Sequence, residues 1–366
     1  MSKKKKGNRK IKFNPKVLLL LLIPLGLGIL LCAISPFFPD MVEGFFSRGV
    51  FIVLSHIIGF FSGLIPFSLT EVMLYVLIAV IIICIVLMIM KKLKFRSFLY
   101  SCLGVFSFAF LLYMLMHGVN FYRHSAYELM GYDNNRMFTS QEIYSVCKEM
   151  AEKANLERLK TNEDENGFMT FSKSLENTLA DAKNGYKNIV PEYEFLFIPQ
   201  SRVKSVMISP LWSYTGICGL YMPLFCEPNV NTDVPECRIP MNAAHELAHT
   251  CGFAREDECN FFAYISCINS ENADYRYSGY LFAFTSLSNE LYSIDKELYN
   301  KVYSLLSDKV KNDLHHVNDY WKKFEGKIMD ASDDVNDAFI KAQGVESGVQ
   351  SYNDAVLLIM HYELQK

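Results

Sequence analysis

Acidic side chains are almost missing from the first third of this 366-residue chain. Residues 1–16 contain none against eight Lys or Arg, and only Asp40, Glu43 and Glu71 precede residue 117. A basic, acid-free tail belongs on the cytoplasmic side of a membrane. Charge of either sign is absent from residues 17–34, 72–90 and 97–116. Each run is long enough to cross about 30 Å of hydrocarbon as a helix. No convincing cleavage site follows the first run, which disfavours a removed signal peptide and favours a retained helix. Beyond residue 116 the shortage is of positive charge, with 23 basic against 36 acidic residues. That net of −13 excludes a nucleic-acid-binding surface.

The short loop between the second and third runs, KKLKFR, holds four positive charges, whereas residues 35–71 hold one Arg and three acids. Basic loops stay inside. The chain therefore divides into a cytoplasmic tail at 1–16, a membrane region at 17–116 and an extracytoplasmic domain at 117–366. Within the membrane region, residues 45–66 are apolar but interrupted by Ser47, Arg48, Ser55, His56 and Ser62. They read as an interfacial helix on the outer leaflet, because a further span would invert the charge pattern. His56, His117 and His124 read as interfacial polar residues. Seven of the ten cysteines lie beyond residue 116, so at least one is free, and the redox compartment stays open.

What the chain does hold is H-E-x-x-H at His245, Glu246 and His249, followed by the acids Glu256, Asp257 and Glu258. Residues i and i+4 share a helix face, so both imidazoles can aim at one point. Glu246 projects about 100° around the same helix, where a carboxylate can take a proton from a metal-polarised water. This is the pattern of zinc peptidases. Pro240 suits the first helical turn. Gly252 falls where a left-handed cap ends the helix, letting a second helix return with a third ligand. Glu256 is the first candidate, with the Asn260 carbonyl oxygen accepting an imidazole N–H behind it. Glu258 is the alternative ligand. Cys251 and Cys259 flank the site, but a helix bearing both His aims Cys251 away from their face. A third His at position 255 is excluded, because Arg255 stands there and a guanidinium does not bind zinc. Two buried, hydrogen-bonded core histidines are the bland alternative.

R-E-D-E-C-N resembles the third-ligand segment of membrane zinc peptidases of the gluzincin type, with Asn260 where they have Asp. More closely, the chain resembles an uncharacterised bacterial family of membrane-anchored, zincin-like proteins of unknown function. The resemblance rests on HELAHxxGxxREDExNFxAYxxC from His245 to Cys267, the E-x-N-x-N ending of residues 219–231, and YSGY at Tyr277 to Tyr280. It spans almost the whole chain and departs from the family at Cys259, where alanine is usual. It implies a zincin-like fold and a Zn2+ cofactor, and no substrate.

The rest of the domain reads as α+β and mainly α, with a small sheet before the zinc helix and helices after it. Thr139 and Glu142 form a capping box at the head of an amphipathic helix over 139–159, and a second helix covers 172–186. Short β-rich runs occupy 193–198, 203–208 and 217–225. The last could be an edge strand to which an extended peptide adds, or an ordinary core strand. Glu227 is expected to line the cleft or make a turn, and Tyr277 or Tyr280 to donate to an oxyanion or simply pack. Helices are expected at 275–292, 298–306, 309–324, 334–342 and 352–362.

The functional expectation is a membrane-anchored zinc metallohydrolase, most simply a peptidase, with Glu246 as base and a peptide or protein as substrate. A non-catalytic zinc-binding scaffold and a site-2-type intramembrane protease are the alternatives. Adjacent lipid is the other expected partner.

Overall fold

A computed structural model describes residues 15–343, 345 and 351–366; most of the basic tail at 1–16 lies outside the described residues. Four helices are long and apolar enough to cross a membrane: α1 (Pro15–Ile34), α2 (Pro39–Gly63), α3 (Leu69–Ile89) and α4 (Phe95–Met116). Small residues bring α1 and α4 close. Gly104 lies against Leu21, and Gly28 against the Phe110 ring. The Leu25 amide donates to Ser107 Oγ at 2.8 Å. Residue numbers rise together along this contact, so the two helices run parallel.

The apolar segment expected at 45–66 is part of α2, whose stretch Val42–Val50 is π-helical. One stripe, four residues apart, meets the polar domain. Glu43 pairs with Arg123 at 2.8 Å, and Ser47 donates to Asn120 at 2.8 Å. Phe51 is fully buried and Ser55 donates to the Thr250 carbonyl at 2.8 Å. Gly59 sits so close to Ser201 that a Cβ would collide with it. The opposite stripe, with Phe45, Val53, Ile57 and Phe61, is exposed.

The polar domain is built on helices α5 (Ser140–Arg158), α6 (Leu175–Ile189), α7 (Ile239–Thr250), α8 (Glu256–Ile268) and α9 (Ala273–Ile294). The capping box expected at Thr139 and Glu142 is formed, which satisfies two orphan donors at the start of α5. Four more helices follow among the described residues: α10 (Lys296–Ser304), α11 (Asp308–Lys322), α12 (Lys327–Ala342) and α13 (Ser351–Gln365). Along α8 the side chains from Cys259 to Cys267 are buried on every side, walled in by α7, α6, α9 and α13. A helix apolar all round needs such a surround.

A two-stranded hairpin joins β1 (Asn162–Glu163) and β2 (Met169–Thr170). The second sheet has three strands, β3 (Lys204–Ser205), β4 (Gly219–Met222) and β5 (Glu227–Val230), in the order β3-β5-β4. Residue Gly219 pairs with Val230 and Met222 with Glu227, antiparallel, which leaves β4 at an edge. The strand expected at 193–198 is absent. Pro191 and Pro199 bracket the run and cannot donate to a ladder. Its apolar residues pack as a loop instead, Phe195 against Phe253 and Phe262.

Two joints tie the domain to the head of α3. Ser68 caps that helix by accepting from the Glu71 amide, and its hydroxyl also donates to Asn229 at 2.7 Å. The Glu227 carboxylate accepts from the Leu69 and Thr70 amides and pairs with Lys204. Glu71 reaches the other way, accepting from the Met207 and Ile208 amides at 3.0 Å each.

Candidate metal centre

Helix α7 takes Pro240 in its first turn and ends at Gly252, whose φ of +86° is the left-handed value expected there. A Cβ at Gly252 would press on the Phe51 ring of α2 at 3.0 Å, so glycine serves both the turn and the close approach. After the turn, α8 opens with Glu256, Asp257 and Glu258 in its first turn, where the helix dipole favours negative charge.

The turn brings His245, His249 and Glu256 together, with one ligand atom from each lying within 4.8 Å of the others. Glu256 Oε2 is 3.0 Å from His245 Nε2 and 3.8 Å from His249 Nε2. Behind the rings, His245 Nδ1 lies 2.8 Å from Asn260 Oδ1 and His249 Nδ1 lies 2.9 Å from the Phe253 carbonyl. Both acceptors lack a proton, so both Nδ1 atoms donate and both Nε2 atoms face the cluster. Two imidazole nitrogens, each ring held from behind by a hydrogen bond, and a carboxylate are a donor set for a divalent transition metal.

Electrostatics agree with that reading. Burial works against a charged His245, but the Glu256 carboxylate outweighs it and lifts its pKa to about 9. Burial also opposes the Glu256 charge, yet His249 and His245 hold its pKa down to about 2. Burial lowers His249 to about 4. Without metal the centre is therefore an ion pair with one neutral imidazole. Glu246 stands beside it, raised to about 8 by burial, with His245 opposing and Glu256 adding to the shift. Its Oε2 is buried without a hydrogen-bond partner. A Cβ at Gly219 on β4 would run into the same carboxylate, which places the edge strand directly against Glu246.

Glu258 turns elsewhere and accepts from the Ala126 amide at 2.9 Å. Cys251 faces the Phe197 carbonyl, and Cys259 lies behind His249 at 3.2 Å from Nδ1, on the side away from the cluster. Three expected cleft residues have partners elsewhere. Glu227 is consumed in the joint with α3, because a fully buried carboxylate needs Lys204 and the helix-head amides to remain charged. Tyr277 donates to Asp313 at 2.6 Å, and Tyr280 lies under Lys153.

That Asp313 is the hub of a separate buried network, receiving Arg158 Nε at 2.6 Å and the Met169 amide at 2.8 Å. Arg158 is fully buried. Asp313→Ala is expected to leave its guanidinium with only the part-exposed Glu163 carboxylate at 3.4 Å and to destabilise the domain by about 3 kcal/mol, read as a lowered thermal midpoint of the purified protein. A midpoint within a degree of wild type would contradict it.

Sequence reasoning missed two residues. His117 follows α4 directly, and its ring lies 5.5 Å from that of His249 and 5.5 Å from Tyr221. It is buried, not interfacial, and burial followed by the His249 charge brings its pKa down to about 3. Tyr221 stacks on His249 with centroids 5.7 Å apart and donates to the Met116 carbonyl at 3.2 Å. Only the position of His117 at the end of an apolar run could have drawn notice. Four of the five remaining histidines have partners elsewhere: His56 faces the Ile52 carbonyl, His124 pairs with Asp40, His316 stacks on Phe168 and His361 on Tyr132.

Fold and site together define a mainly helical protein with several candidate membrane spans and a His–His–Glu cluster able to hold a metal ion. The chain belongs to the family described as "Protein of unknown function (DUF3810)", whose model matches residues 46–360. No curated protein and no solved structure matches it.

Proposed function

We propose that this protein is a membrane-anchored zinc metallohydrolase of zincin type, most simply a metallopeptidase, acting on peptide or protein outside the cytoplasm. The observation that carries the proposal is the meeting of His245 Nε2, His249 Nε2 and a Glu256 oxygen beside the unpartnered Glu246 carboxylate. A purely structural site has no use for a buried, unpaired acid next to its ligands. Zinc bound there supplies Lewis-acid polarisation of the scissile carbonyl. Glu246 takes the proton of the attacking water at a carboxylate oxygen and returns it to the leaving amine. Asn260 and the Phe253 carbonyl hold the two rings in register. Among the described residues β4 is paired on one side only, so an extended peptide can add to its free edge beside Glu246.

The parallel course of α1 and α4 supports the orientation. It puts Lys16, at the start of α1, and the loop KKLKFR at one end, with the polar domain at the other. Three helices cross in this reading and α2 does not, because its stripe from Glu43 to Gly59 lies on the domain.

The test is metal analysis of the purified protein together with hydrolysis of mixed quenched peptides before and after chelation and zinc return. Absence of both zinc and zinc-restored hydrolysis would sink the proposal. Metal uptake is also expected to depend on pH. His245 keeps a proton below its pKa of about 9, and a ligand must lose it. Apparent zinc affinity should therefore rise about tenfold per pH unit between pH 6 and 8. Titration calorimetry in buffers of different ionisation enthalpy would show at least one proton released; a pH-independent affinity would contradict the ion pair.

A further inference from the structure

The metal cluster is tied to the ends of the membrane helices without any intervening stalk. His117 is the first residue past α4, and its ring packs on His249. Tyr221, in the edge strand, bonds the last carbonyl of α4. At the head of α3, Glu71 holds the Met207 and Ile208 amides. Helix α3 has 21 residues and extends about 30 Å, just the hydrocarbon thickness, so its head and the end of α4 both sit at headgroup level.

The surface around these contacts is apolar and open. Met207 is 86% and Leu211 64% exposed, Tyr214 is half exposed, and Leu220 projects outward from β4 itself. The end of α2 adds Phe60 and Phe61, and Leu64 follows it. A large exposed patch of this kind marks contact with a partner or a membrane, and its continuity with the heads of the spans selects the membrane.

Resting on the metallopeptidase reading, we infer that the substrate is the extended juxtamembrane segment of a lipid- or helix-anchored polypeptide, taken onto the free edge of β4 at the level of the lipid headgroups. A soluble chain has to thread between the domain and the bilayer to reach Glu246. A segment leaving the bilayer is already there, and its anchoring raises its effective concentration.

The experiment uses the full-length, zinc-loaded protein in phosphatidylcholine–phosphatidylglycerol vesicles. The probe is a mixed-sequence peptide library of about 30 residues, offered free or carried on a dipalmitoyl anchor, with cuts mapped by mass spectrometry. Expected are cuts within about eight residues of the anchor, at ~3.3 Å per residue, and turnover at least tenfold above the free library. Cuts spread evenly along the tether, or a free library cut as fast, would overturn the inference. A second readout is independent of hydrolysis. Trp321→Phe leaves Trp212, next to Leu211, as the only tryptophan of two. Lipids brominated high on the acyl chain should quench it strongly; an unquenched Trp212 overturns the headgroup placement. If Trp212 is quenched and neither library is cut, the peptidase reading fails and takes the substrate assignment with it, while the membrane placement stands.

Discussion

Glu246→Gln is expected to lower hydrolysis by roughly 10²–10⁴-fold while leaving the zinc content of the wild type, because general acid–base catalysis is worth about that much. The carboxylate stands beside the His245, His249 and Glu256 cluster and outside it, so its loss removes no ligand. Burial already lifts its pKa to about 8, with His245 opposing and Glu256 adding, so the metal-free protein carries it protonated at neutral pH. The amide matches that neutral acid in size. Folding and thermal midpoint should hardly change. Hydrolysis and metal content are therefore the discriminating pair: full activity in the variant removes Glu246 from the chemistry, and lost zinc makes it a ligand.

The second large effect is on metal binding. Replacing Glu256 with Gln should weaken zinc by roughly 10²–10⁴-fold, since about 10–16 kcal/mol of zinc affinity divided over the three protein ligands leaves about 3–5 kcal/mol for each. It also removes the negative charge that lifts His245 to about 9. In the metal-free protein His245 should then titrate lower, visible in its imidazole proton resonances. Asn260→Ala acts through the His245 ring and should cost about 10–100-fold in affinity. Glu258→Gln is the contrast, because that side chain holds the Ala126 amide and should leave zinc binding unchanged. Competition with a chromogenic chelator measures all three. Equal losses for Glu256 and Glu258 variants would dissolve the assigned donor set.

Much of the centre is legible in the order of the amino acids. The i, i+4 histidines depend only on helical period, and Gly252 at φ +86° meets the need for a left-handed turn ahead of the next helix. Capping at Thr139 is equally local. The short strands are the weak point. Residues 193–198 have a strand's composition, but among the described residues no backbone forms a ladder with them, and a ladder needs a partner that periodicity cannot supply. Glu227, with two asparagines after it, has the look of cleft chemistry and is structural, because its surroundings come from Lys204 and a helix head more than 150 residues earlier.

Sequence by itself determined what repeats at short range: the apolar helices, the basic loop, the paired imidazoles and the turn beyond them. Tertiary structure alone decided between Glu256 and Glu258, which point about 200° apart on α8, so that the crossing of α8 over α7 selects one of them. It alone set His117 and Tyr221 against His249, and laid α2 along the domain. The physical reason is one of range. Helical spacing is set by backbone geometry over a few residues, whereas the partner of a buried side chain is chosen by which distant surfaces exclude water together.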